Sequence, residues 1–187
     1  AVPRDYRTET GEPPGSADVL ARFVERLQDY QAHVYRVTPA GLAATLDLVV
    51  PTGHRVVVPP ALPGEWRAPI AAHAAALYID GTPAPLTATE LDDADTVVTA
   101  CRIAIAETGT IVLDAAPDQG RRVLSLVPDH HVVVVFANQV VASVPEALAR
   151  LDPTAPLTFI SGPSATSDIE FQRVQGVHGP RNLDVVI

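Results

Sequence analysis

Four groups of residues have types and spacing that could do chemistry. Glu107 stands in Ala106-Glu107-Thr108-Gly109-Thr110, where an apolar run ends and a glycine turn begins. A carboxylate at a strand end beside such a turn faces the space where α/β sheets bind ligands. There it can serve as an acid, a base or a nucleophile. Its plainer role is to accept from the N–H groups of its own turn. Arg121-Arg122 follow Gln119-Gly120. Adjacent guanidiniums in an acidic chain can clamp a phosphate or carboxylate bidentately, or else close an internal salt bridge at a helix start. Ser161-Gly162-Pro163-Ser164 leads through Asp168 and Glu170 to Gly176-Val177-His178-Gly179-Pro180-Arg181. These two small-residue turns lie between apolar runs ending at Ile160 and covering Val185 to Ile187. Such turns expose backbone N–H groups and can hold an anion, or they can simply close a sheet. Last come Asp129-His130-His131. Neighbouring strand residues point to opposite faces, so the two histidines cannot share one metal from one side. His178 has its loop fixed by glycine and proline and is the better-placed histidine.

The totals narrow the chemistry. The chain has 187 residues, a net charge of -9 and a pI of about 5.0. An acidic chain without a basic cluster is a poor partner for nucleic acid or an anionic membrane. All 13 basic residues are arginine, which removes Schiff-base and Walker-type lysine chemistry. Cys101 is the only cysteine, so no intrachain disulfide forms and no four-thiolate iron–sulfur site can be built from this chain. It sits in an apolar stretch, which predicts a buried, inert thiol. No cofactor is expected in this chain. GxSxG, GxGxxG, HExxH and paired CxxC patterns are absent, against hydrolase, dinucleotide, metalloprotease and zinc-module readings. With no membrane-length apolar run and no signal-peptide pattern, the expected location is the cytoplasm.

The elements that must position these groups follow from periodicity. Residues 1–17 are rich in Pro, Gly, Glu and Thr and predict a flexible arm. Asp18 is the expected cap of a helix with Val19, Leu20, Phe23, Val24 and Leu27 at helical spacing. A strand is expected over Val34 to Val37, a helix over Pro39 to Leu48, and a strand over Arg55 to Val58. Pro59 to Pro69, carrying Trp66, reads as a proline-rich loop. Ile70 to Ala76 is the next helical stretch and Leu77 to Ile79 the next strand. Thr87-Ala88-Thr89-Glu90 has the capping-box pattern. Apolar runs at Ala94 to Ala100, Ile103 to Ala106 and Ile111 to Leu113 predict strands. His131 to Phe136 is continuously apolar, as expected of a strand buried on both faces. Val144 to Leu151 predicts a final helix, and Leu157 to Ile160 and Leu183 to Ile187 the terminal strands. Alternating strands and helices predict an α/β fold with a layered, mixed, largely parallel sheet flanked by helices.

With these segments in view, the chain resembles the lactate-utilisation protein C family, the LUD-domain proteins. The resemblance rests on Ala106-Glu107-Thr108-Gly109-Thr110, on Gly120-Arg121-Arg122 with Leu126-Val127-Pro128-Asp129-His130, and on the turns at 161–164, 168–170 and 176–180. It implies a NagB/RpiA/CoA-transferase-like fold in one domain over residues 18–187. It also implies a role in bacterial oxidation of L-lactate to pyruvate beside iron–sulfur partner subunits, with no statement of what this subunit does chemically. The ligand set it points to is Thr108, Gly109, Thr110, Arg121, Arg122, Ser161, Gly162, Pro163, Ser164, Asp168, Glu170, Gly176, His178, Gly179 and Arg181, with Glu107 as the catalytic candidate. Glu107-Thr108-Gly109 is also similar to the Glu-x-Gly turn that holds the catalytic glutamate of CoA-transferases, but their glycine-rich GxGGF loop has no counterpart here. Three functions remain open at this stage: a small-anion-binding or docking subunit of a lactate-oxidising system, a free-standing CoA-transferase-like or small-anion enzyme using Glu107, and a binding or regulatory module.

Overall fold

The computed structural model describes residues 7–166, 174–175 and 179–187. Asp168, Glu170, Gly176 and His178 lie outside the described residues. Along the chain, α1 (Ala17–Asp29) is followed by β1 (His33–Tyr35), α2 (Leu42–Val49), β2 (Arg55–Val58), α3 (Gly64–His73) and β3 (Ala76–Ile79). Then come α4 (Ala88–Asp92), β4 (Thr96–Thr99), β5 (Ile103–Ile105), β6 (Thr110–Leu113), β7 (His130–Val134) and β8 (Val140–Val141). The chain continues with α5 (Val144–Leu148), β9 (Thr158–Ile160), β10 (Ala165–Thr166), β11 (Val174–Gln175) and β12 (Asn182–Val186).

Six strands form one sheet in the order β1-β12-β7-β4-β2-β3, and every neighbouring pair is parallel. β4 and β7 are buried along their whole length. Period-two alternation divides the side chains of the β7 run and β12 between two cores. Val133, Val135 and Val185 face α1 and a second sheet, while Val132, Val134 and Val186 face α2 and α3. The second sheet, β8-β5-β6-β9, is mixed: β5–β6 and β6–β9 are antiparallel and β5–β8 is parallel. The layers are therefore helices, a parallel sheet, and a smaller mixed sheet with α1, which is the expected α/β class.

Local signals place most elements. α1 buries Val19, Leu20, Phe23 and Leu27, four residues on one helical stripe. The expected cap at Asp18 is corrected: the N-cap is Ser16, and Asp18 sits in the first turn near the helix N-terminus. The capping box at Thr87 and Glu90 forms as expected and starts α4. Two further expectations are corrected. The stretch read as a proline-rich loop holds α3, with Pro63 as its cap and Pro69 inside it. Proline normally breaks a helix interior by removing one N–H and crowding a carbonyl. Here Trp66 and Ile70, four residues apart, are both buried against the α2 side of the sheet, and that burial outweighs the lost bond. α5 is also shorter than expected, ending at Leu148.

Residues 10–15, read from composition as part of an arm, are tied to the body. Glu146 Oε1 accepts from Thr10 N at 2.6 Å, and Gly15 N donates to Val140 O at 2.9 Å. Among the described residues no helix is long and apolar enough to cross a membrane.

Candidate functional site

The turn at 161–164, with Gly179 and Pro180, walls a cavity of about 430 Å3 beside β9. Arg122, Ser161, Gly162, Ser164, Gly179 and Phe159 are among its walls. Arg122 opens a short 3-10 turn, Arg122–Ser125, and its side chain is exposed. Among the described residues it forms no ion pair. Ser164 N donates to Pro180 O at 2.8 Å, which fastens the two small-residue turns together. Ser161 Oγ and Thr110 Oγ1 are 2.7 Å apart, and Thr110 Oγ1 and Thr108 Oγ1 are also 2.7 Å apart. A row of hydroxyls thus runs from the β5–β6 turn to the cavity wall. Leu126 and Phe159 supply exposed apolar surface on the same cavity. One cation, several hydroxyls and an apolar wall suit a small ligand with a carboxylate, a hydroxyl and a short alkyl group.

The remaining segments go elsewhere. Arg121 points away from the cavity and clamps Asp80 bidentately, Nε to Oδ2 at 2.8 Å and Nη2 to Oδ1 at 2.6 Å. It also donates to Leu86 O at 3.0 Å. The hydrogen bonds from Arg121 hold the Asp80 carboxyl below the usual range, against the opposing effect of burial. Arg181 is likewise paired, with Nε and Nη2 on the two oxygens of Asp129 at 2.6 and 2.7 Å. Glu107 does not line the cavity. Its Oε1 accepts from Val144 N at 2.7 Å, capping the first turn of α5. Gly109 and Gly162 pack on α1. A Cβ at Gly109 would lie 2.8 Å from Arg26 Cβ, and one at Gly162 would lie 2.6 Å from Tyr30 Cβ. Their φ angles are +59° and +86°, where a side chain is strained in any case. Pro163 lies between Gly162 and Ser164 in the same bend.

The histidines also part company. His131 is buried and bonded to Thr99 Oγ1 at 2.8 Å, and burial pushes it down to about 3. His130 joins a chain that the sequence did not reveal. Asp184 Oδ1 meets His33 Nδ1 at 2.7 Å and Asp184 Oδ2 meets His130 Nε2 at 2.8 Å. His130 Nδ1 then meets Thr96 Oγ1 at 3.2 Å, and Thr96 Oγ1 meets His54 Nδ1 at 2.8 Å. Thr96, His130 and His33 begin their strands, His54 lies in the turn before β2 and Asp184 is the middle residue of β12; register sets Thr96 opposite His130 and His33 opposite Asp184. No local motif marks them, because each comes from a different strand or from the turn before one. Among the described residues no three His, Cys, Asp or Glu side chains are grouped to hold a metal. Cys101 is buried, its thiol pushed up by desolvation and turned to Gln139 Oε1 at 3.4 Å.

The family described as the LUD domain matches residues 20–187. A protein of Deinococcus radiodurans named lactate utilization protein C is 42% identical over 179 residues, covering 94% of this chain and 82% of that protein. A Bacillus subtilis protein of the same name is 35% identical over 97 residues, 48% of this chain and 40% of its own length. Among solved structures, a crystal structure described as a duf162 family protein from Deinococcus radiodurans superposes with a TM-score of 0.74. It is 38% identical, and the match covers 91% of this chain and 96% of that one.

Proposed function

The chain belongs to the LUD-domain family, and from that premise we propose that it serves bacterial lactate utilisation as a subunit that binds a small 2-hydroxy or 2-oxo acid. The carrying observation is the cavity at Arg122. It offers a guanidinium without a carboxylate partner among the described residues, the Ser161 hydroxyl at its wall, and apolar surface from Leu126 and Phe159. L-Lactate presents the complementary set: a carboxylate for Arg122, a hydroxyl for the serine side and a methyl group for the apolar wall. Electron transfer is assigned to iron–sulfur partner subunits, since the one thiol of this chain is buried and held protonated.

Arg122→Gln tests this. The side chain is exposed and makes no ion pair among the described residues, so the fold should melt as before. Calorimetric affinity for L-lactate or pyruvate should fall about tenfold, which is about 1.4 kcal/mol. Growth on L-lactate of a strain lacking the chromosomal copy should fail to be restored. Unchanged binding together with full restoration of growth would remove the assignment. The CoA-transferase-like alternative gains nothing from the geometry, because the Glu107 carboxylate is engaged as a helix cap.

A further inference from the structure

A second cavity, of about 380 Å3, opens at the N-terminal edge of the parallel sheet and shares no lining residue with the one at Arg122. His33, His54, Asp95, Asp129, His130 and Asp184 line it. The side chains of Asp184 and His130 are both only 8% exposed, whereas that of His33 is 67% exposed. Donor and acceptor bookkeeping then orders the protons along the chain of bonds described above. A carboxylate only accepts, so His33 donates through Nδ1–H and His130 through Nε2–H. His130 Nδ1 is left as an acceptor and takes the Thr96 hydroxyl proton. Thr96 Oγ1 in turn accepts from His54 Nδ1–H. With the three imidazoles neutral, this arrangement satisfies every buried atom of the chain. It leaves the Nε2 lone pairs of His33 and His54 as the two free ends, and among the described residues neither Nε2 has a partner.

We propose that this cavity is an acid–base site with two basic ends, His33 and His54, held by one shared positioning carboxylate, Asp184. His33 rests on Asp184 directly, and His54 reaches it through Thr96 and His130. When His33 takes a proton from a ligand hydroxyl, the ligand O–H bond breaks and an Nε2–H bond forms. The positive charge on the imidazole then faces Asp184, and return of the proton restores the start. When His54 does so, its Nδ1–H stays in place as the donor to Thr96 Oγ1, and the hydrogen bonds through Thr96 and His130 to Asp184 orient the ring without any proton passing to the carboxylate. A buried carboxylate that fixes an imidazole's tautomer and balances its charge is the arrangement from which histidine bases work.

The lining also selects the ligand class. Three carboxylates face the cavity, from Asp95, Asp129 and Asp184. Of the nearby guanidiniums, Arg181 is bound to Asp129, and Arg55 Nε lies 4.0 Å from Asp95. A hydroxyl-bearing small molecule without negative charge fits this surface, and an anion does not. The inference does not depend on lactate binding at Arg122.

Long-range proton–nitrogen NMR of the full chain decides the proton order without any substitution. His33 and His54 should carry their proton on Nδ1, and His130 on Nε2. A proton on Nε2 of neutral His33 would overturn the proposal. Reactivity then tests the positioning role, with diethyl pyrocarbonate as the probe and mass spectrometry reading each histidine. His33 and His54 should be modified faster than His73, whose two nitrogens face Pro69 O and Val50 O at 3.0 and 2.9 Å. Asp184→Asn should slow both by about tenfold, about 1.4 kcal/mol in the barrier. Thr96→Val should slow His54 alone. Equal rates in wild type and folded Asp184→Asn would sink the shared-carboxylate assignment. Propane-1,2-diol should shift the His33 and His54 nitrogen resonances while L-lactate leaves them in place. The reverse result would overturn the ligand class, and lactate binding at Arg122 would stand or fall by its own assay.

Discussion

Val144 N–H donates to Glu107 Oε1 across 2.7 Å, and this bond satisfies one of the amides that the start of α5 leaves without a helical partner. A carboxylate in that place also meets the positive end of the helix dipole. Glu107→Ala should therefore lower stability by about 1 kcal/mol, as loss of a helix cap does. Growth on L-lactate at a temperature well below melting should continue. Loss of growth with an unchanged melting temperature would return Glu107 to the chemistry. Arg121 and Arg122 differ by the same kind of accounting. Asp80 is buried, with 5% of its side chain exposed, and a buried carboxylate needs a partner. Arg121 is bound to it, and Arg122 stays available at the cavity.

At the level of elements, the C-terminal half of α1 is the surface on which two loops are seated. Gly109 of the β5–β6 turn and Gly162 after β9 meet it from the second sheet, each too closely for a Cβ. The Thr110–Ser161 hydroxyl bond ties the same two segments together. The cavity wall is thus set by how α1 packs, and not by its own turn alone. Gly109→Ala should cost about 1–2 kcal/mol from its left-handed backbone, and more from the contact with Arg26. Urea denaturation measures the loss. A stability within a few tenths of the wild type would show that α1 can shift to make room.

For the whole molecule, the pH dependence of stability follows from what is buried. His131 stays neutral in the fold down to about pH 3, while the unfolded imidazole binds a proton near its ordinary value of 6.5. Between those values the unfolded chain holds more protons, so stability falls as pH drops through the window, by up to about 1.4 kcal/mol per unit. Asp80 and Asp129 have the opposite origin and a lower window. Their carboxyls are held below the usual range by Arg121 and Arg181, so their contribution is complete above about pH 4 and is lost below it. From pH 7 to pH 5 the loss should therefore come mainly from His131, at about 1–2 kcal/mol. Urea melts of wild type and His131→Gln at pH 7, 6 and 5 should show that slope in the former and a flatter one in the latter. Parallel curves would mean that His131 is protonated in the folded chain.

The sequence by itself determined what depends on neighbours along the chain. The valine run in β7, the helical stripe of α1, the Thr87 and Glu90 box and the alternation of strands with helices are local patterns, and they were enough for the α/β class. The hydroxyl-rich turn at Ser161 to Ser164 was legible for the same reason. What the tertiary structure decided is whatever depends on groups far apart in the chain. Four prolines between residues 59 and 69 hid α3, because the burial of Trp66 and Ile70 that sustains it lies against another layer. Which arginine was free turned on Asp80, 41 residues away. The histidine chain spans 151 residues from His33 to Asp184, and only parallel register sets those side chains at hydrogen-bond distance. Periodicity reports the face on which a residue lies, whereas the partner it meets there is chosen by strand order.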